Sequence, residues 1–116
     1  MMGEFTVKAE ICGFKGCETI EALVDTGSSY TAIPKSVAER VGIRKHGKVE
    51  FELGDGRTKI YDVGYVNIKL NGRDGLVRVA IIEDGAEPKI GAVTLEDLGF
   101  VVDPVEMRLK PKKRRL

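Results

Sequence analysis

Asp25 is the residue from which a chemistry can be built. It follows the apolar run Ala22-Leu23-Val24 and precedes Thr26-Gly27-Ser28-Ser29-Tyr30-Thr31, after which Ala32-Ile33-Pro34 returns to apolar. A carboxylate at the end of a buried strand is costly unless donors hold it. Thr26 and Ser28 carry hydroxyls and Gly27 allows a tight turn, so two side chains and several N–H groups can converge on Asp25. A carboxylate held in this way is equipped to take up and return a proton. The plainer alternative is an Asx turn that closes a hairpin, with Asp25 as its capping residue. Apolar flanks on both sides favour chemistry.

Other chemistries fail on inventory. His46 is the only histidine and follows Arg44-Lys45 in a polar stretch, which suits a surface residue better than a base or ligand. Neither Ser28 nor Ser29 sits in a Gly-x-Ser-x-Gly elbow. Gly54-Asp55-Gly56 lacks the third glycine of a dinucleotide loop, and no Gly-Lys-Ser/Thr occurs. The 18 acidic residues are scattered rather than grouped at ligand spacing, so no metal and no cofactor is expected. Cys12 and Cys17 bracket Gly13-Phe14-Lys15-Gly16. Geometry permits a disulfide across that turn, but cytosolic thiols are kept reduced, and free thiols are the expectation.

The elements that must position Asp25 fit a chain of 116 residues, enough for one domain that buries roughly two-thirds of its unfolded surface. Nineteen basic against 18 acidic residues leave a net charge of +1, which argues against a global field for nucleic acid or membrane. Met1-Met2-Gly3-Glu4-Phe5 has neither a basic region nor an apolar run, so no signal peptide is read, and no stretch is long enough to span a bilayer. A soluble cytoplasmic protein is expected.

Phe5 to Ile11 alternates as a half-buried strand should, and Glu18 to Val24 returns after the glycine-rich turn, making a hairpin that delivers Asp25. Pro34 suits the first turn of a short helix through Val41, with Gly42 as its left-handed cap. Val49 to Leu53 and Thr58 to Asp62 flank the hairpin turn Gly54-Asp55-Gly56-Arg57. Gly64 to Leu70 and Leu76 to Ile82 follow as strands joined by residues 71–75. Thr94 reads as the N-cap of a helix with an acidic first turn, closed by Gly99. Glu39-Arg40-Val41-Gly42-Ile43 and Glu96-Asp97-Leu98-Gly99-Phe100 share one order, a hint of an internal twofold repeat. Phe100 to Leu109 completes the strands, and Lys110 to Leu116 reads as a solvated basic tail rather than a nucleic-acid contact.

Leu23-Val24-Asp25-Thr26-Gly27-Ser28-Ser29 resembles the active-site loop of the pepsin-type aspartic proteases and, in a chain this short, their single-lobed, retropepsin-like branch. Lys89-Ile90-Gly91 before Thr94–Leu98 resembles the segment that precedes the C-terminal helix there, and Val49 to Tyr65 resembles the flap, with Gly54, Asp55, Gly56 and Arg57 at its tip. The resemblance implies a mainly β, closed single-lobe fold with two short helices over residues 1–109, followed by the tail 110–116. It implies an aspartic endopeptidase acting on peptide or protein substrates with Asp25 as its catalytic carboxylate. Thr26 would bond across a subunit axis, the Gly27 backbone would contact substrate, and Ser28 would bond the outer carboxylate oxygen, with Ile90 and Gly91 as structural neighbours.

That chemistry needs two carboxylates sharing one proton. Asp55-Gly56, Asp74-Gly75 and Asp84-Gly85 lack the intervening Thr or Ser, so the second acid must come from another copy of the chain, in a C2 homodimer. Two departures stand out. Ala92 occupies a place where retroviral members carry Arg, and Lys89 replaces an apolar residue before Ile90. The competing expectation is a catalytically silent dimeric module of the same fold that binds a peptide or protein.

Overall fold

The computed structural model describes residues 4–116. Residues 1–3, with which the expected 1–109 domain and the reading of the N-terminus as leaderless begin, lie outside the described residues.

Alternation along β1 (Thr6–Cys12) turns Ala9 and Ile11 into the core, and β2 (Cys17–Val24) does the same with Ala22 and Val24. The two pair antiparallel from Thr6↔Leu23 to Cys12↔Cys17. β3 (Thr31–Pro34) leads into α1 (Lys35–Val41), and β4 (Arg44–Glu52) and β5 (Thr58–Leu70) form the long hairpin expected around residues 54–57. β6 (Arg73–Ile82) pairs with β5, and β7 (Lys89–Ile90) precedes α2 (Ala92–Leu98). β8 (Phe100–Asp103) and β9 (Arg108–Pro111) make a separate two-stranded sheet. The other seven strands run in the order β1-β2-β7-β3-β6-β5-β4, and pairing of β1 with β5 closes the sheet on itself. The fold is mainly β, closed, with two short helices, as expected.

The internal repeat is visible in the ladder. Exchanging β1 with β5, β2 with β6, β3 with β7 and α1 with α2 returns the same set of pairings among those six strands, while β4–β5 and β8–β9 stand outside it. The contacts on the pseudo-axis are Ile11↔Ile68 and Ala32↔Lys89, and each joins residues 57 apart. The shift also carries the pair Thr6↔Leu23 onto Val63↔Ala80, and the left-handed caps Gly42 (φ 82°) onto Gly99 (φ 77°). Under this relation Asp25 falls on Ile82. The repeat that would mirror the acid holds a hydrocarbon instead.

One apolar cluster fills the interior, drawn from Ile11, Ile33, Ile68, Leu70, Ile90 and Leu98 with their neighbours on both helices. Among the described residues no helix is long and apolar enough to cross a membrane.

Several local expectations are corrected. β5 runs unbroken through Val63 and Gly64, where two strands were expected, because its ladder with β6 continues across both residues, and Gly64 lies so close to the Arg44 backbone that any side chain there would collide. The connection expected over residues 71–75 is a two-residue turn, Asn71 (φ 46°) and Gly72 (φ 84°), whose double positive φ matches strand twist. Pro34 is the N-cap of α1 rather than its first helical residue. Thr94 lies inside α2, whose N-cap is Gly91, and no acidic residue sits in its first turn. Cys12 and Cys17 are not free thiols but a disulfide, since the β1–β2 register sets them directly opposite with Cα atoms 4.1 Å apart. The basic tail is anchored at its start: Lys110 and Pro111 belong to β9, and the Lys112 N–H donates to Gly99 O at 2.8 Å.

Candidate active site

Asp25 leaves the end of β2 with its backbone held on both sides. Its N–H donates to Ile90 O at 3.0 Å, and its C=O accepts from the Ser28 N–H at 3.1 Å. The Gly27 N–H donates to Asp25 Oδ1 at 3.0 Å, which is an Asx turn, so the plainer reading of this loop is also true of its geometry. The turn engages one carboxylate oxygen. The other, Oδ2, meets Lys89 Nζ at 3.3 Å.

A buried polar pair fixes the loop from behind. Thr31 and Thr94 are the buried polar residues of the core, and their hydroxyl oxygens lie 2.7 Å apart. Thr31 Oγ1 also accepts from the Gly91 N–H at 3.0 Å. The peptide unit joining Ile90 to Gly91 is therefore clamped at both ends, its C=O by Asp25 and its N–H by Thr31. Ala92 N–H donates to Ser28 O at 2.7 Å, tying the start of α2 to the same loop. Gly91 has no room for a side chain: a Cβ would stand 2.8 Å from Ser28 O and closer still to Tyr30 O.

A cleft of about 520 Å³ opens over Asp25. Ala32, Ala80 and Ile82 supply apolar lining, Gly27, Ser28 and Tyr30 come from the loop, and Phe51, Leu53, Gly54 and Tyr61 come from the β4–β5 hairpin. That hairpin spans the residues expected to form a flap. Near its tip it packs on the loop through Tyr30 and Phe51, edge to face at 4.9 Å. Of the four tip residues, Gly54 lines the cleft, whereas Asp55 and Arg57 bond each other at 2.6 Å across Gly56. Tyr61 donates to Glu83 Oε1 at 3.3 Å, and burial raises its phenol above the ordinary value. The carboxyl of Glu83 is pulled down by its own backbone N–H, then by Lys59 and Tyr61.

On its other side Asp25 borders a second hollow, shared with Thr26 and lined by Glu4, Phe5, Val24, Val102, Pro104 and Met107. Thr26 is thus placed away from the cleft, facing a surface that is apolar apart from Glu4 and Asp25, and the nearby β8–β9 turn carries the exposed Val105.

The expected site residues Asp25, Gly27 and Ser28 meet in the cleft, and Ile90 and Gly91 stand directly behind them. Ser28 departs from its expected role: its hydroxyl donates to Tyr30 O at 2.9 Å rather than to the carboxylate, because that carbonyl lies within reach two residues along. Sequence reasoning missed the pairing of Thr31 with Thr94 and the bond of Lys89 to Asp25. The signal for the second was alternation: Ile90 is buried, so Lys89 on the same short strand must face the opposite way.

A family model described as aspartyl protease matches residues 7–102. No curated protein matches the chain. Among solved structures, the chain is similar to the EIAV protease complexed with the inhibitor HBY-793, with a TM-score of 0.69 and 22% identity over 85% of this chain and 91% of that one. It is also similar to the retroviral protease-like domain of Ddi1 from Leishmania major, with a TM-score of 0.60 and 19% identity over 92% and 88%.

Proposed function

Because the chain belongs to the retropepsin-like aspartyl protease family, we propose that it is an endopeptidase whose water-activating pair is Asp25 from two copies of the chain. The observation that carries this reading is the asymmetry of the repeat: one strand end presents Asp25 to the cleft, and its equivalent presents Ile82. Glu52 and Glu87 also line the cleft, but on the flap and on the loop before β7, and neither occupies a strand end of the repeat. A second chain docked over the hollow beside Thr26 would bury Phe5, Val24, Val102, Pro104 and Met107 and bring its own Asp25 to the axis.

In that assembly two facing carboxylates hold one proton between them. The ionised one removes a proton from a water, which attacks the scissile carbonyl, while the other donates its proton to the carbonyl oxygen. Collapse of the tetrahedral intermediate breaks the C–N bond and passes a proton to the leaving amine. The flap, through Phe51, Leu53 and Gly54, closes over an extended peptide and excludes water.

One observation favours a second reading. The Lys89 ammonium occupies Asp25 Oδ2, a contact that a silent peptide-binding module of this fold could keep without penalty. Cleavage of an unfolded protein or a peptide library between about pH 3 and 8, wild type beside Asp25→Asn, separates the two. Cleavage abolished by the substitution supports the protease. Cleavage retained in the mutant removes it, and peptide binding with no cleavage by the wild type leaves the module.

A further inference from the structure

The cleft holds a cation where its chemistry has no use for one. Among the described residues lining it, Lys89 is the single basic side chain; the others are apolar, neutral polar or acidic. Arg57 and Lys59 carry their charges outside that lining and pair with Asp55 and Glu83, whereas the partner of Lys89 is Asp25 itself. Lys89 is set by the ladder rather than by its own flexibility. Its Cα lies opposite Leu23 on one side and Ala32 on the other, with Ile90 buried beneath. From there its ammonium reaches Asp25 Oδ2 at 3.3 Å, with its side chain 41% exposed and that of Asp25 31%.

A bound peptide displaces the water that now shares in solvating that ammonium. When the two Asp25 carboxylates share a proton, each offers Lys89 less negative charge than in the open chain. An ammonium then left in a drier cleft beside Ala32, Ala80 and Ile82 is under-compensated, and the costs of burying an unpaired charge fall on any substrate that cannot satisfy it. A carboxylate on the substrate, one residue from the bond under attack, satisfies it. We infer that Lys89 is a specificity-determining residue that selects peptides carrying an Asp or Glu side chain next to the scissile bond, and that it disfavours basic side chains there. This rests on the protease reading for the paired Asp25 carboxylates and for the bond under attack, and the recognition is read by binding as well as by cleavage.

Two peptides identical except for Glu or Gln beside the cleaved bond test the inference, with kcat/KM compared between wild type and Lys89→Met. The ratio of the two peptides, rather than either rate, is the readout. The wild type should prefer the Glu peptide by about tenfold, the discrimination expected of one charge-assisted hydrogen bond. Lys89→Met should erase that ratio, and Lys89→Glu should turn it towards a Lys-bearing peptide. Non-cleavable reduced-amide versions of both peptides give the same comparison by binding. If nothing is cleaved but the Glu analogue binds the wild type more tightly and Lys89→Met does not discriminate, the inference stands and proteolysis falls. If peptides are cleaved without a Glu preference, or the preference survives in Lys89→Met, the inference falls and proteolysis stands. Neither cleavage nor discriminating binding overturns both.

Discussion

Replacing Thr31 by Val should cost more than replacing Thr94 by Val, although the two hydroxyls form one bond. Both residues are 1% exposed, so neither lost partner is replaced by water. Thr94→Val removes one buried hydroxyl contact, the 2.7 Å pair, at a cost of about 1–3 kcal/mol. Thr31→Val removes the same contact and also orphans the Gly91 N–H, which donates to Thr31 Oγ1 at 3.0 Å. Two losses put its cost at roughly 2–4 kcal/mol, a drop in Tm on the order of 10–15 °C for a domain of this size. The double mutant should cost less than the sum, because the bond between the hydroxyls can be lost only once. The Ile90–Gly91 peptide freed by Thr31→Val is also the one that accepts the Asp25 N–H, so cleavage should fall further in Thr31→Val than in Thr94→Val. Urea unfolding with unchanged m-values measures the costs. A Thr94→Val cost equal to or above that of Thr31→Val, or strict additivity, would refute the reasoning.

Gly91→Ala should be severely destabilising, by several kcal/mol, since its Cβ collides with the Ser28 and Tyr30 carbonyls; a soluble, fully active Gly91→Ala measured by circular dichroism and cleavage contradicts the packing described. Acidification should weaken the fold. Glu18, held by Arg40, Asp62, held by Lys48 and Lys45, and Asp84 and Asp103, held by the backbone N–H groups of Ser36 and Glu106, all sit below their ordinary values. Lowered carboxyl values mean stability that is fully present above the ordinary 4.5 of Glu and 3.8 of Asp and lost as pH falls through the folded values, so Tm should hold from neutrality to about pH 5 and decline below it. Arg40→Ala should flatten part of that decline. Reducing the Cys12–Cys17 bridge, which closes a loop of sequence separation 5, should lower stability by about 2 kcal/mol, read as a fall in Tm on adding dithiothreitol; an unchanged Tm excludes that contribution.

What was legible in the sequence was whatever short-range geometry dictates. Gly42 and Gly99 adopt the left-handed caps read from their position after apolar helix ends, and Asp25 stands where the apolar run ends. The β4–β5 hairpin was legible because residues 54–57 are a turn in almost any context. Where a side chain chooses between a local and a distant partner, local rules failed. Thr94 has the composition of an N-cap, yet its hydroxyl is claimed by Thr31, 63 residues away, and Gly91 takes the cap because only a residue without a side chain fits beneath Tyr30. Ser28 failed in the opposite sense: the expected long-range role yields to a carbonyl two residues along. The constant shift of 57 was nearly silent in composition, since strands related by symmetry need only matching burial and not matching residues.

The proposal that the catalytic pair comes from two chains is tested most directly by mixing subunits. Wild-type chain is combined with Asp25→Asn chain at constant total concentration, allowed to exchange, and assayed for cleavage. Two acids from two chains predict activity that falls as the square of the wild-type fraction and, at fixed composition, is lost faster than linearly on dilution. Activity that tracks the wild-type fraction linearly would mean that a single chain carries the whole reaction, and the account given for Asp25 would be wrong.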